Sequence, residues 1–334
     1  MLTEGEQPWK GPRQQCLIAG FDAGQTHTTC RLAEAAGGRV LAEGEGAGVS
    51  HLAAEGGPER FAAALRESLV RARAKLVDLR DPRAIWPLLA AVVGASGIEV
   101  GSAVQRQGRQ LAMDALGLLE ARVIVTGDER TALRGAFPAG PGIVVISGTG
   151  TIAVGRDGRG CEHRCGGWGW LLDGAGSAMD IGRDGLALSL QMADGRLAET
   201  PLRKALWRAL ELDPADPQAP QRIKALVVAP GFGAAGFARL APVVNRLAEQ
   251  GDRPAGEILQ NNAEALARMA AAVARALGLE GPPVSAMGGA IENLAMFRSC
   301  FTEALAAALP AGRLMPARGD GCDGALAMAV ELVC

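Results

Sequence analysis

Two aspartates, each closing an apolar run, are the residues whose type and place could first do chemistry. Cys16-Leu-Ile-Ala-Gly-Phe-Asp22 and Val123-Ile-Val-Thr-Gly-Asp128 both read as buried strands that end in a carboxylate. In an open α/β sheet, the ground just beyond a strand's carboxyl end is where ligands bind. Asp128 there could act as a general base, or could cap the helix expected over 129–136. Asp22 has a similar pair of readings, as a turn former or as a Mg²⁺ ligand acting through water.

Two glycine turns stand beside these acids. Asp22-Ala-Gly-Gln-Thr26 and Ser147-Gly-Thr-Gly-Thr151 are each strand, glycine turn with threonine, strand. Such a turn bares backbone N–H groups, and threonine hydroxyls add donors, so the pair could wrap phosphate oxygens or be plain hairpins. Their similarity suggests duplicated halves. Gly148-x-Gly150-x-x-Ala153 fits the dinucleotide fingerprint only as text, because Thr151-Ile-Ala-Val154 reads as a strand where that fingerprint needs a helix. No Gly-Lys-Ser/Thr of a Walker A loop occurs.

Three further features are weaker. Cys161-x-His163-x-Cys165 puts three metal-ligand types on one strand face, but no fourth zinc ligand presents itself nearby. Trp168 and Trp170, set among glycines, could stack on a ligand or plug a seam between domains. His27 and His51 read as turn or surface residues.

These residues must be positioned by alternating elements. Strands at 16–22, 28–33 and 39–43 with tight glycine links form a meander. Phe61, Leu65, Leu69 and Leu76 fall at helical spacing within 58–77. Strand 88–94, a helix near 104–116 and strand 121–126 imply parallel pairing with a helical crossover. From 176 onward the chain turns mostly helical, over 186–192, 201–210, 221–228, 236–250 and 255–277. A short strand at 284–287, a helix over 293–309, a strand near 313–316 and a closing helix over 321–333 complete it.

The 334 residues suffice for two domains, and 49% hydrophobic with 21% charged residues is a globular composition. The net charge of -2 gives no support for nucleic-acid or membrane-surface binding. No apolar run approaches the ~20 residues of a membrane helix. Residues 1–15 read as a flexible polar tail without the apolar stretch of a secretion signal. Seven scattered cysteines suit a reducing, cytoplasmic setting better than a disulfide framework.

Taken together, the motifs resemble the actin/hexokinase-like nucleotide-binding superfamily, and within it the BadF/BadG/BcrA/BcrD-type group that includes N-acetylglucosamine and glucosamine kinases. The resemblance rests on Gly20-Phe-Asp-Ala-Gly-Gln-Thr26, Gly94-Ala-Ser-Gly97, Thr126-Gly-Asp128, Ile146-Ser-Gly-Thr-Gly150, Cys165-Gly-Gly-Trp-Gly169, Gly176-Ser177, Met287-Gly-Gly-Ala290 and Asp320-Gly-Cys-Asp-Gly-Ala-Leu-Ala327. It implies an α/β chain of two ribonuclease H-like domains, 16–128 and 129–334, with a ligand cleft between them. By the same resemblance, Asp22 would hold Mg²⁺ through water. Gly24, Thr26, Gly148, Thr149, Gly150 and Thr151 would meet the ATP phosphates, and Gly288 and Gly289 the adenosine. Asp128 would take a proton from a sugar hydroxyl. Ser50, Ser96, Gly97, Gly166, Gly167, Trp168 and Asp173 would line the sugar site. Relatives are often homodimers.

The departures concern the sugar side. Where the family reads Gly-Asp-Glu-Gly-Ser, this chain has Asp173-Gly-Ala-Gly-Ser177, so the acid sits one place earlier. Ser50 or His51 stands where an Asn commonly contacts the sugar, and Gln25 where a glycine commonly precedes the threonine. The leading expectation is an ATP-dependent amino-sugar or hexose kinase. An ATPase activating an electron-transfer enzyme and a non-catalytic sugar or nucleotide sensor are the alternatives. The activator would need cysteines for a shared iron–sulfur cluster, and none stands in the expected place.

Overall fold

The computed structural model describes residues 16–77 and 86–333, and the expected tail at 1–15 lies outside them. The chain forms two compact units, one ending at Ala139 and resuming at Arg318, the other Gly140–Ala317.

The first unit is built on β1 (Leu17–Ala23), β2 (His27–Glu34), β3 (Val40–Ala47), β4 (Leu88–Ala95) and β5 (Val123–Gly127), with α1 (Gly57–Val77), α2 (Ala103–Leu116) and α3 (Asp128–Ala136). The sheet order is β3-β2-β1-β4-β5. β1, β2 and β3 pair antiparallel, while β4 and β5 run parallel to β1. β1 is apolar from Leu17 to Phe21 because both of its faces are covered. Leu17, Ala19 and Phe21 join Phe61 and Leu65 of α1 in one cluster, whereas Ile18 faces Ala325, Leu326 and Ala329 of the chain's last helix. Burying a side chain such as Phe21 contributes on the order of 1.5–3 kcal/mol. Gly20 shares the face of Ile18, and a Cβ there would come within 2.7 Å of the Cys322 carbonyl oxygen. Only glycine lets that helix lie directly on the strand.

The second unit repeats the plan with β6 (Gly142–Ser147), β7 (Thr151–Arg156), β8 (Glu162–Gly166), β9 (Pro283–Met287) and β10 (Arg313–Leu314). Their order, β10-β9-β6-β7-β8, is again an antiparallel meander followed by two parallel strands. The helices are α4 (Ala178–Ala193), α5 (Pro201–Ala209), α6 (Ala219–Val227), α7 (Gly233–Ala238), α8 (Ala241–Glu249), α9 (Arg253–Ala276), α10 (Gly289–Asn293) and α11 (Ala295–Ala308). The last helix, α12 (Gly321–Glu331), belongs to the first unit. Ile143 and Val145 pack with Leu259, Leu266 and Ala270 of α9 in one core.

Several boundaries differ from the expected ones. The division does not fall after Asp128 but after Ala139, and α12 returns to the first unit. The cause is steric fit: a Cβ on Gly135 would lie 1.9 Å from the Asp320 carbonyl oxygen, and one on Gly324 would lie 1.8 Å from that of Thr131. The backbones of α3 and α12 therefore cross in direct contact, which ties both helices to the first sheet. The expected helix 236–250 is two, α7 and α8, because Pro242 sits in the first turn of α8 and cannot continue a helix from before it. The expected helix 293–309 is likewise divided, at the extended Leu294. α4 starts at Ala178 rather than 186 because Ser177 caps it, its Oγ accepting from the Asp180 N–H at 3.1 Å. The six described cysteines are free.

Candidate active site

Parallel register gathers the carboxyl ends of three strands in the first unit. Asp22 lies opposite Gly94, Ala23 opposite Ala95, and Ala95 opposite Gly127. Asp22, Ser96 and Asp128 therefore emerge along one edge, and the Ser96 N–H donates to the Ala23 carbonyl at 3.2 Å. Asp128 does not cap α3. Gly127 holds the N-cap place with φ −65° and ψ 146°, and Asp128 is the first helical residue. Thr131 tucks this helix against β4, its Oγ1 donating to the Asp128 carbonyl at 2.9 Å and standing 2.1 Å from where a Cβ of Gly94 would be.

The two acids are electrostatically one-sided. Burial, then the charges of Asp128 and Asp320, push the Asp22 carboxyl up to about 6. Burial and the adjacent Glu129 push Asp128 up to about 6 as well, against backbone N–H bonds from Asp128 and Glu129. The third carboxylate is neutralised instead. Arg31 grips Asp320 with both terminal nitrogens at 2.8 Å, reaches Asp323 at 2.6 Å and holds Glu43 through Nε at 2.8 Å. Burial would raise Asp320, but the Arg31 and backbone hydrogen bonds hold it below the usual range. Asp22 also lies against the first turn of α12, its Oδ2 being 2.8 Å from the Cβ position of Gly321. That edge can accept a proton or attract a cation. Among the described residues, no group of three or more His, Cys, Asp or Glu side chains is disposed to hold a metal ion.

The neighbouring loops carry the other first-unit candidates. Gly24 accepts the Val49 N–H at 2.9 Å and donates to the His27 carbonyl at 3.1 Å. Thr26 is exposed, its Oγ1 3.0 Å from the Nδ1 of His27. Ser50 Oγ accepts from Arg60 Nε at 2.9 Å. The ring of His51 lies over Gly97, with Cδ2 3.0 Å from its Cβ position. Ser50, Ser96 and Gly97 are thus near the Asp22 edge.

The second unit assembles its own group at the β6–β7 turn. Gly148 and Gly150 would meet nothing within 4 Å if given a Cβ, and Thr149 is exposed. Thr151 differs, being buried with its Oγ1 donating to the Ala175 carbonyl at 3.2 Å. Its hydroxyl proton serves the fold rather than standing free for a phosphate. Gly288, at φ +98°, packs its α-carbon against Ser147, and Gly289 opens α10 beside it. Gly166 pairs with Ile152, and the Oδ2 of Asp173 is 3.4 Å from the Cβ position of Gly166. Gly166 and Gly167 both take positive φ, and their carbonyls accept from Arg164, whose guanidinium stands 5.0 Å from the Trp168 ring. Trp168 is 63% exposed.

Four residues of consequence escape sequence reasoning. Glu129 is buried beside Asp128, and Asp180 is buried beneath Gly174 and paired with Arg183 at 2.6 Å. Arg31 neutralises Asp320, and Asn262 is a buried amide in α9. The Asp320-x-x-Asp323 spacing of a capping box was the one available signal, and it points to the helix start that Arg31 grips.

Two sheets of identical strand order, each with a glycine turn after its first strand, define an α/β protein of the ribonuclease H-like, actin/hexokinase type. The ROK hexokinase of Thermus thermophilus shares this fold at a TM-score of 0.58 and 18% identity, over 94% of this chain and 97% of that one. The BadF/BadG/BcrA/BcrD ATPase family model matches residues 19–320, and the chain belongs to that family. It is 30% identical over 210 residues to the N-acetylmuramic acid/N-acetylglucosamine kinase of Clostridium acetobutylicum, spanning 62% of this chain and 67% of the relative. A crystal structure from Chromobacterium violaceum, described provisionally as an N-acetylglucosamine kinase, matches with a TM-score of 0.68 and 26% identity, over 96% of this chain and 99% of the other. No described helix is long and apolar enough to cross a membrane.

Proposed function

We propose that this chain is an ATP-dependent kinase that phosphorylates a hydroxyl of an amino sugar, N-acetylglucosamine or a related hexose. Similarity to the two amino-sugar kinases above supports the substrate class. The observation that carries the chemistry is Asp128, a half-buried acid at the carboxyl end of β5 pushed up to about 6. Such a group is mostly ionised at neutral pH yet retains real proton affinity, as a general base requires. Asp128 would accept the proton of the sugar hydroxyl as its oxygen attacks the γ-phosphorus, the bond from that phosphorus to the β,γ-bridging oxygen breaks, and ADP leaves.

The rest of the work is positioning, because phosphoryl transfer needs little covalent help. The Gly148–Gly150 turn, where no side chain obstructs approach, and the exposed Thr149 hydroxyl suit the phosphate oxygens. Gly24 and Thr26 offer a second turn of the same kind. Ser50, Ser96 and Gly97 would orient the sugar near Asp128, and Asp173 and Trp168 are the second unit's candidates for sugar contact. The residues at Asp22 also fit a magnesium ion. Its carboxyl is crowded by Asp128 and Asp320, so a cation there would relieve that repulsion. Mg²⁺ when bound would neutralise charge on the transferred phosphate.

The test is direct. The protein is incubated with ATP, Mg²⁺ and a panel of amino sugars and hexoses, and ADP and sugar phosphate are measured. A sugar phosphate formed in step with ADP is expected, with amino sugars as the better acceptors. ADP release that no sugar raises above background would remove the proposed substrate class.

A further inference from the structure

The β6–β7 turn and the segment from Asp173 to Ser177 have separate roles in the proposed reaction, one toward phosphate and one toward sugar. In the structure they are tied together. Ser147 Oγ donates to the Gly176 carbonyl at 2.6 Å, Thr151 Oγ1 to the Ala175 carbonyl at 3.2 Å, and the Ala178 N–H to the Gly148 carbonyl at 2.9 Å. Three bonds from three residues fix one segment to the other.

The centre of this tie is Gly176. Its carbonyl is held by Ser147, and its N–H donates to Asn262 Oδ1 at 2.8 Å. Its φ of +88° and a Cβ position only 2.9 Å from Leu266 Cβ press it onto α9. Asn262 is 4% exposed, and its Nδ2 donates to the Ile258 carbonyl at 3.0 Å and to Asp184 Oδ2 at 3.2 Å. The amide orientation follows from chemistry: an N–H on one side demands the oxygen, and a carbonyl on the other demands the NH₂. A buried amide with donor and acceptor both satisfied is a rigid post, since turning it would orphan several groups at once.

We infer that Asn262 is a positioning residue that makes the phosphate turn and the 173–177 segment one mechanical unit, so that nucleotide bound at the turn orders the sugar-facing segment. The inference rests on the proposed placement of phosphate at Gly148–Gly150. Asn262 itself touches no reacting group. It acts through Gly176, and Ser147 completes the connection from the other side.

Hydrogen–deuterium exchange with and without a non-hydrolysable ATP analogue and Mg²⁺ tests this without any sugar. In the unmodified protein the nucleotide should slow exchange in the turn peptide and also in the 173–178 peptide, whose Ala178 amide is bonded to Gly148. In Asn262→Ala the turn should still be protected by nucleotide, while the linked slowing in 173–178 falls by at least about fivefold, the low end of typical site-to-site coupling. Ser147→Ala, a small volume change, should weaken the same linked slowing if Asn262→Ala proves unfolded. Linked slowing of full size in both variants, or none in the unmodified protein while its turn is protected, would overturn the inference. A turn that nucleotide leaves unprotected would remove the phosphate placement itself, and the inference with it.

Discussion

The two sheets share one strand order but end their strands differently. β1 finishes at Asp22-Ala23 before its glycine turn, and β5 passes straight into Asp128. The matching ends in the second sheet are Ile146-Ser147 and Arg313-Leu314, with no acid among them. One sheet therefore offers charge: two carboxylates whose proton affinity burial and neighbouring acids have raised. The other offers neutral donors, with two unobstructed glycines and an exposed threonine. On the proposed reading, a duplicated framework is divided between acid–base and cation chemistry in one unit and oxyanion contact in the other. The topology repeats, but the end-of-strand residues decide what each copy can do.

The sharpest way to break this comparison is to remove charge from the charged edge. Asp22→Asn should lower kcat by about 10²-fold or more, as expected when a cation loses its anchor to a reacting phosphate. Thermal unfolding should be unchanged or shifted upward at pH 8, because a crowded carboxylate is gone. Unaltered turnover in steady-state assays would show that the acid edge is ornamental.

The pH response should belong to the charged edge as well. Asp22 and Asp128 are both pushed up to about 6, so kcat/KM should fall as pH drops below about 6, where these acids take up protons. Stability should move the other way. Both acids bind protons more tightly folded than unfolded, so their contribution is greatest at acid pH and is lost as pH rises from about 4 through about 6. Asp320 is held low and contributes the opposite trend, so the clean comparison is against Asp128→Asn, which should flatten the loss.

The neutral turn should respond more gently. Thr149→Ala removes an exposed hydroxyl with no fold contact and should raise the KM for ATP by roughly tenfold, the loss of one hydrogen bond to a charged group. Thr151→Ala removes a buried fold bond and should cost about 0.5–1.5 kcal/mol in chemical denaturation, with little change in the KM for ATP. If the two variants behave alike, the distinction drawn between exposed and tied hydroxyls is wrong.

Much of the charged edge was legible in the sequence, because an apolar run closed by an acid carries its own meaning in an α/β chain. Asp22 and Asp128 are found that way, and the twin glycine turns gave away the repeated sheets. The N-cap reading of Asp128 had to yield to geometry, since Gly127 takes that place and local sequence cannot tell the two apart. What stayed hidden depends on contacts distant along the chain. Arg31 meets Asp320 only after folding, α12 returns to the first unit only because Gly20, Gly135 and Gly324 admit it, and Asn262 looks like any polar residue in an alanine-rich helix. Pro242, by contrast, was visible in the sequence and still missed as the start of α8.

The central claim is that the carboxylate of Asp128 accepts the proton from the sugar hydroxyl. It is tested most directly by comparing sugar-phosphate formation by the unmodified protein and by Asp128→Asn, at saturating ATP, with nucleotide affinity measured in parallel by calorimetry. The expected result is a kcat lowered by about 10²–10⁴-fold with ATP affinity and thermal unfolding preserved. A variant that turns over sugar at the unmodified rate would contradict the assignment.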